Sequence, residues 1–426
     1  MKKGDLLYQQ YLNILEEELR PAMGCTEPIA LAYAGAKACQ LLGKIPETVD
    51  IGVSGNIIKN VKSVIVPNTG GLHGIGPAVC AGIVCGDADK ELEVISTVTD
   101  AQRAELKAFL DTARIDIHSA KSCLVFDIDL RLYAGADSVR LRIVNHHTNL
   151  VYMEKNGEVL LDLPITESSE DRLTDKSCLS MEKIVEFAEC LDVDDIRDTV
   201  LRQVEYNMAI AEEGIRNNWG ANIGSVIMAR QGTLLCKRAA AYAAAGSDAR
   251  MSGCEMPVII LSGSGNQGIT ASVPVAVYAR ELGLSEEKLL KAVALSDLVT
   301  IHQKTGIGRL SAYCGAISAG CGAGAGIAYL LGGDTRAIAH TVVNAIAILS
   351  GTICDGAKPS CAAKIASAVD AGILGYQMFV DGQQFYSGDG IVTKGVDNTV
   401  YNIGRLAREG MRETDRTILD IMMSNG

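Results

Sequence analysis

The sequence predicts an α+β fold, with a mixed α/β N-terminal lobe carrying an antiparallel sheet, packed on a mainly all-α C-terminal domain. Three observations carry that expectation. Apolar runs with period-two alternation, such as Val139, Leu141 and Ile143, stop at Leu163. Helical spacing of apolar residues dominates from Met181 onward. Between them lies a polar stretch, TESSEDRLTDKS over 166–177, which reads as a linker or surface loop. The expected domains are therefore 1–170 and 171–426.

In chain order, residues 5–19 place apolar side chains at helical spacing, and 26–42 form a second helix. Strand-like runs follow at 49–53 and 61–66. Runs at 124–132, 139–144, 150–152 and 159–163 read as a meander. Asn156-Gly157 before the last run is a strong hairpin signal, because both positions of a tight type I′ turn need positive φ. Beyond the linker, helices are expected over 181–191, 196–214, 232–245, 286–303, 312–331, 335–349 and 362–378. One buried strand-like run stands at 257–261. No solenoid-type repeat is present, but Cys314-x6-Cys321 is echoed by Cys354-x6-Cys361.

Composition excludes several functions. With 48% hydrophobic and 21% charged residues the chain has ample core material and is no disordered polymer. A net charge of -12 argues against nucleic acid, whose phosphates need a basic face. No polybasic membrane anchor is present. The uncharged stretch from Leu310 up to Asp334 is long enough to span a bilayer, but 11 of the 17 residues over 312–328 are Gly or Ala. Insertion would gain little, so a buried helix is expected. Acidic residues interrupt the apolar run at the N-terminus, unlike a secretory signal. A cytoplasmic protein with a small-molecule substrate is expected, and Gly/Ala-rich faces are compatible with a homodimer.

The chain has 13 cysteines, an odd count with no export signal, so a disulfide framework is not expected. Cys39, Cys80, Cys85, Cys178, Cys190 and Cys236 sit among aliphatic residues and read as small core hydrophobes.

The segment LSGSGNQGIT contains Gly263-x-Gly265-x-x-Gly268 after a strand-like run. A dinucleotide fingerprint would need a second parallel strand after the helix, and the chain stays helical up to Gln303. What remains is a Gly-rich turn feeding a helix, where backbone N–H groups bind anions and Ser264 and Asn266 add donors. A substrate carboxylate is the natural guest; a tight turn without ligand is the alternative. His73, His302 and the adjacent pair His146 and His147, expected on opposite faces of a strand, lack metal-ligand spacing. H-E-x-x-H, G-x-S-x-G, C-x-x-C and Walker A motifs are absent.

Four cysteines in the C-terminal half give the sharper signal, in SAYCGAISAGCGAG and GTICDGAKPSC. Cys354 ends an apolar helix, Asp355-Gly356 turns the chain, and Cys361 stands in the first turn of the next helix. A helix N-terminus favours thiolate. Cys354 and Cys361 thus flank a short loop and suit one metal centre, with Cys314 or Cys321 as third ligand. Spacing alone does not choose, since both fall on one helical face. Context favours Cys314: GIGRLSAY before it marks a helix mouth, whereas AGCGAGAG around Cys321 marks a tight helix contact. Cys25, in RPAMGCTEPIALA, precedes a helix with Thr26 as candidate N-cap and Pro28 just inside. That position favours a reactive thiolate; a small residue at a turn is the alternative.

Taken together, GCTEP at Cys25, SGSGNQGIT over 262–270, GRLSAYCG around Cys314 and ICDGAKPSC ending at Cys361 resemble the L-cysteine desulfidase family. That family is similar to the iron–sulfur L-serine dehydratase α chain. The resemblance implies a 4Fe–4S cluster held by Cys314, Cys354 and Cys361, with one iron open to substrate, and Cys25 as base. It implies β-elimination of sulfide from L-cysteine to give pyruvate, ammonia and hydrogen sulfide without pyridoxal phosphate. Two departures stand out. The dehydratases' Ser-rich, His-containing SSSHT turn is absent, and the chain ends MMSNG, without a cysteine to cap a cluster. The alternatives are an L-serine dehydratase-type deaminase and a non-catalytic iron–sulfur or thiol sensor.

Overall fold

The computed structural model describes residues 1–122, 124–165, 174–308 and 311–424. The expected linker at 166–177 therefore lies outside the described residues up to 173. Eight strands are described: β1 (Arg20–Met23), β2 (Thr48–Val53), β3 (Arg114–Ser119), β4 (Asp127–Ala134), β5 (Asp137–Val144), β6 (Leu150–Lys155), β7 (Glu158–Asp162) and β8 (Pro257–Ile260). Six of them form one sheet in the order β3-β2-β4-β5-β6-β7. Its pairs are antiparallel except β2–β3, which is parallel, so the sheet is mixed. Beyond residue 174, β8 is the one strand among the described residues, and helices fill the remainder.

Local chemistry explains most elements. Thr26–Leu42 and Thr335–Leu349 are helices with the expected ends. The hairpin between β6 and β7 turns at Asn156 and Gly157, with φ of 52° and 84°. Expectation and structure part at 61–66. This run is no strand; Gly55–Val61 is a helix and Ile65 makes only an isolated bridge to His73. Ile57 and Val61, four residues apart in that helix, are both fully buried, the spacing of a helix face. His146 and His147 also lie outside any strand, because Asn145 adopts φ 65° and turns the chain out of β5.

Two hydrophobic cores organise the chain. One covers the sheet and includes Ile29, Leu31, Val49, Ile51, Leu130 and Leu141. The other fills the helical body. Tyr8, Tyr11, Ile14 and Leu15 of the first helix, Leu6–Glu18, join the helical core although they precede the sheet in sequence. β1 follows and pairs antiparallel with β8. The chain then leaves the helical body at Cys25 and enters the sheet layer through Thr26–Leu42. This crossing puts residue 25 at the seam. In the helical body, Gly315–Leu330 packs on Cys361–Val380 so tightly that a Cβ on Gly324 would lie 2.5 Å from the Gly372 carbonyl oxygen. That contact uses the Gly/Ala-rich run for packing. Among the described residues no helix is long and apolar enough to cross a membrane.

Candidate active site

A cavity of about 120 Å³ opens at the seam. Cys25, Ser264, Asn266, Cys314, Cys354 and Cys361 all line it, drawn from segments up to 336 residues apart.

The cysteines arrive by three local devices. Cys314 is the N-cap of helix Gly315–Leu330, with extended backbone at φ −71° and ψ 115°. Tyr313 bridges Ile353 in a single antiparallel pair. Around it, Cys314 N–H donates to Thr352 O at 3.2 Å and Cys354 N–H donates to Ala312 O at 2.6 Å. The two thiols therefore flank one bridge. Cys361 opens helix Cys361–Val380 behind the N-cap Ser360. Cys321 lies one helical stretch further on, 1% exposed, and does not line the cavity.

Two of the three thiols are raised. Burial pushes Cys314 up to about 12, and Cys354 and Cys361 add to the rise. Cys361 is raised chiefly by burial, with Cys354 adding and Lys364 and Lys358 opposing. Both lysines pair with Asp355, Lys364 Nζ at 2.6 Å from Oδ1. Among the described residues no three His, Cys, Asp or Glu side chains are arranged around a single metal ion. Thiolates of an iron–sulfur cluster each bind a different iron, so they surround a volume instead of meeting at a point. Three free thiols around one cavity fit that requirement. Orphaned polar atoms point the same way: Tyr313 OH, Gln267 Oε1 and Arg250 Nε are buried without hydrogen-bond partners, and all three residues line the cavity. A polar or charged guest belongs there.

Cys25 faces the same space but differs from expectation. It is itself the N-cap of Thr26–Leu42, with Thr26 as first helical residue. Its Sγ–H donates to Glu27 Oε2 at 3.2 Å. The helix N-terminus does not make a ready thiolate. Burial raises the thiol pKa well above its ordinary value, the Glu27 charge raises it further, and Arg250 opposes. Glu27 is buried and also accepts from Thr26 Oγ1 at 3.1 Å and from Asn60 Nδ2 at 3.0 Å. Thr26 Oγ1 also donates to Gly263 O at 3.0 Å, tying this helix start to the Gly-rich turn.

That turn is tight. Leu261 and Ser264 exchange both backbone hydrogen bonds, at 3.1 and 3.0 Å, around Ser262 and Gly263 with φ of 48° and 78°. Ser264 then caps helix Gly265–Glu281, accepting from Gln267 N–H. The glycine pattern thus serves a turn and close packing, with no βαβ unit behind it.

The residues over 89–420 match the family described as the serine dehydratase alpha chain. The chain belongs to that family. It is 56% identical to a UPF0597 protein of Desulfitobacterium hafniense over 424 residues, covering 100% of this chain and 99% of the relative. A UPF0597 protein of Lachnoclostridium phytofermentans is 47% identical, covering 98% of this chain and all of the relative. One from Treponema denticola is 43% identical, with 98% of each chain covered. This is a serine dehydratase-like protein.

Within this family member, sequence reasoning missed Glu27, Asn60 and Arg250 and set His147 aside; all four line the cavity. Glu27 stood in the quoted GCTEP motif, where its spacing to Cys25 was the available signal. Arg250, 2% exposed near the end of a helix and outside every motif, left none.

Proposed function

We propose that this protein is an iron–sulfur-dependent carbon–sulfur lyase that eliminates sulfide from L-cysteine, yielding pyruvate, ammonia and hydrogen sulfide. The observation that carries this reading is the single cavity shared by the Cys25 thiol, the Gly-rich turn and the three C-terminal cysteines. Cys314, Cys354 and Cys361 would hold a 4Fe–4S cluster. When bound, the cluster supplies a Lewis-acidic iron that polarises the bond to the leaving group.

The chain's own residues supply proton transfer and binding. Cys25 rests as a thiol, so it must lose its proton before taking one. Glu27 Oε2 is the acceptor within hydrogen-bond reach. The Cys25 thiolate then removes the Cα proton, and the bond to the β-substituent breaks. Ser264, Asn266 and the start of helix Gly265–Glu281 receive the carboxylate. The released aminoacrylate tautomerises and hydrolyses in water to pyruvate and ammonia. The reaction consumes one water and requires no external oxidant. A Schiff-base lysine is not needed, although Lys304 borders the cavity.

A second reading, elimination of water from L-serine, is favoured by the name of the matching family. Anaerobically reconstituted protein assayed with each amino acid separates the two. Equal amounts of sulfide and pyruvate from L-cysteine support the proposal. Pyruvate from L-serine, with L-cysteine inert, establishes the second reading instead.

A further inference from the structure

We propose that Arg250 is the cation that takes the α-carboxylate of the substrate. The proposal rests on the reading of this cavity as an amino-acid elimination site, and it defines the substrate class as a free α-carboxylic acid.

Arg250 sits in the last turn of helix Leu235–Met251 and is 2% exposed. Its hydrogen bond runs from Nη1 to Asn266 Oδ1 at 3.1 Å. Nε has no partner. Among the described residues no Asp or Glu forms an ion pair with it. A guanidinium cannot shed its proton to escape burial, and an unpaired charge away from water is costly. Two other buried cations meet carboxylates: Lys59 meets Asp415 at 2.5 Å and Lys176 meets Glu18 at 2.9 Å. Arg250 instead borders the cavity.

Its seat is built for it. A Cβ on Gly265 would lie 2.2 Å from Arg250 Nε and 2.8 Å from Val258 Cγ2, so only glycine lets the guanidinium lie against this helix start. The fixed positive charge and the N-terminus of Gly265–Glu281 thus meet at one place, lined by Ser264, Asn266 and Gln267. A carboxylate fits a guanidinium fork better than a single donor does. The Gly-rich turn is accordingly half of an anion site, and Arg250 is the charged half.

The test is calorimetric titration of the reconstituted protein with L-alanine, which has both α-groups but no leaving group, and with L-alaninamide, which lacks the carboxylate. Wild type is expected to bind L-alanine about 100-fold more tightly than the amide. R250M is expected to lose that preference while keeping its iron content. Should R250M not fold, R250K serves, since Lys keeps the charge but loses the fork. Its L-alanine affinity should fall about tenfold, with the amide unaffected. Unchanged L-alanine affinity in R250M, or in R250K where R250M does not fold, overturns the assignment. So does a wild type that does not bind L-alanine or does not distinguish it from the amide. Failure of the lyase reading looks different: L-alanine binds through Arg250, yet L-cysteine gives no products.

Discussion

Cys25 Sγ lies 3.2 Å from Glu27 Oε2 and donates its hydrogen to that carboxylate. The bond places a proton donor and its acceptor on one helix start, in the lining of a cavity that the C-terminal cysteines share. In the proposed reaction this pair moves the proton while the cysteines further along hold the metal. Replacing Cys25 by Ala should therefore leave iron binding intact and remove turnover. The expected loss in kcat is about 10²- to 10⁴-fold, the range of a general base. Iron content and visible absorbance, measured beside the rate, check it. Loss of iron in C25A would assign the thiol to the cluster instead.

Glu27 adds to the effect of burial on the pH at which Cys25 works. Burial and the Glu27 charge raise the thiol pKa, so the thiolate gains population only as pH climbs beyond the ordinary thiol range. The rate should rise with pH there. In E27Q the charge is gone, the thiol pKa falls, and the rising limb should move to lower pH while the maximal rate drops. A pH profile of kcat for both proteins reads this. A limb that stays in place would separate Glu27 from the thiol.

Asp297 offers a pH effect away from the site. It is fully buried in the helical body, and burial pushes its carboxyl up to about 8, with the hydrogen bond from Gln203 opposing. A folded-state value above the unfolded one stabilises at low pH. That contribution is complete below the unfolded value of about 3.9 and is lost as pH rises towards 8. The loss is at most about 1.4 kcal/mol per pH unit. Asp297 Oδ2 and Gln203 Oε1 both lack partners, and an amide at position 297 could donate where the carboxylate cannot. D297N should therefore melt higher than wild type at pH 9, with the difference shrinking by pH 5. Thermal unfolding at both pH values decides.

How much of this was legible in the sequence follows from where the signals lie. Thr26–Leu42 and Thr335–Leu349 were readable because apolar spacing and end residues agree. β3 was not, although Ile115 and Ile117 alternate with Arg114, Asp116 and His118: two apolar side chains on a short edge strand, directly behind the helix Asp100–Thr112, make a weak signal. β1 is four residues long and contains Pro21. The parallel β2–β3 pair depends on that unseen strand. The three cysteines of the bridge and helix mouths stood in motifs, so their grouping could be expected. Arg250 and the protonated state of Cys25 arise only when distant segments close around them, and local sequence carries no trace of burial by remote partners.

Gly24 holds the approach to Cys25. Its φ is 57°, and a Cβ would lie 2.2 Å from Pro67 Cγ. G24A must therefore strain the backbone and push on a rigid ring. A loss of roughly 1–3 kcal/mol in stability is expected, with turnover reduced because the thiol shifts. Denaturant unfolding together with kcat checks both. Unchanged values would show that this turn relaxes freely.

The central claim is that Cys314, Cys354 and Cys361 together hold an iron–sulfur cluster, and it is tested most directly by anaerobic reconstitution of single Cys→Ala variants. Iron and sulfide content are read with the visible absorbance. C314A, C354A and C361A should each lose the cluster signal, while C321A, altered within a helix contact away from the cavity, should keep it. A C314A protein that retains full absorbance while C321A loses it would contradict the account.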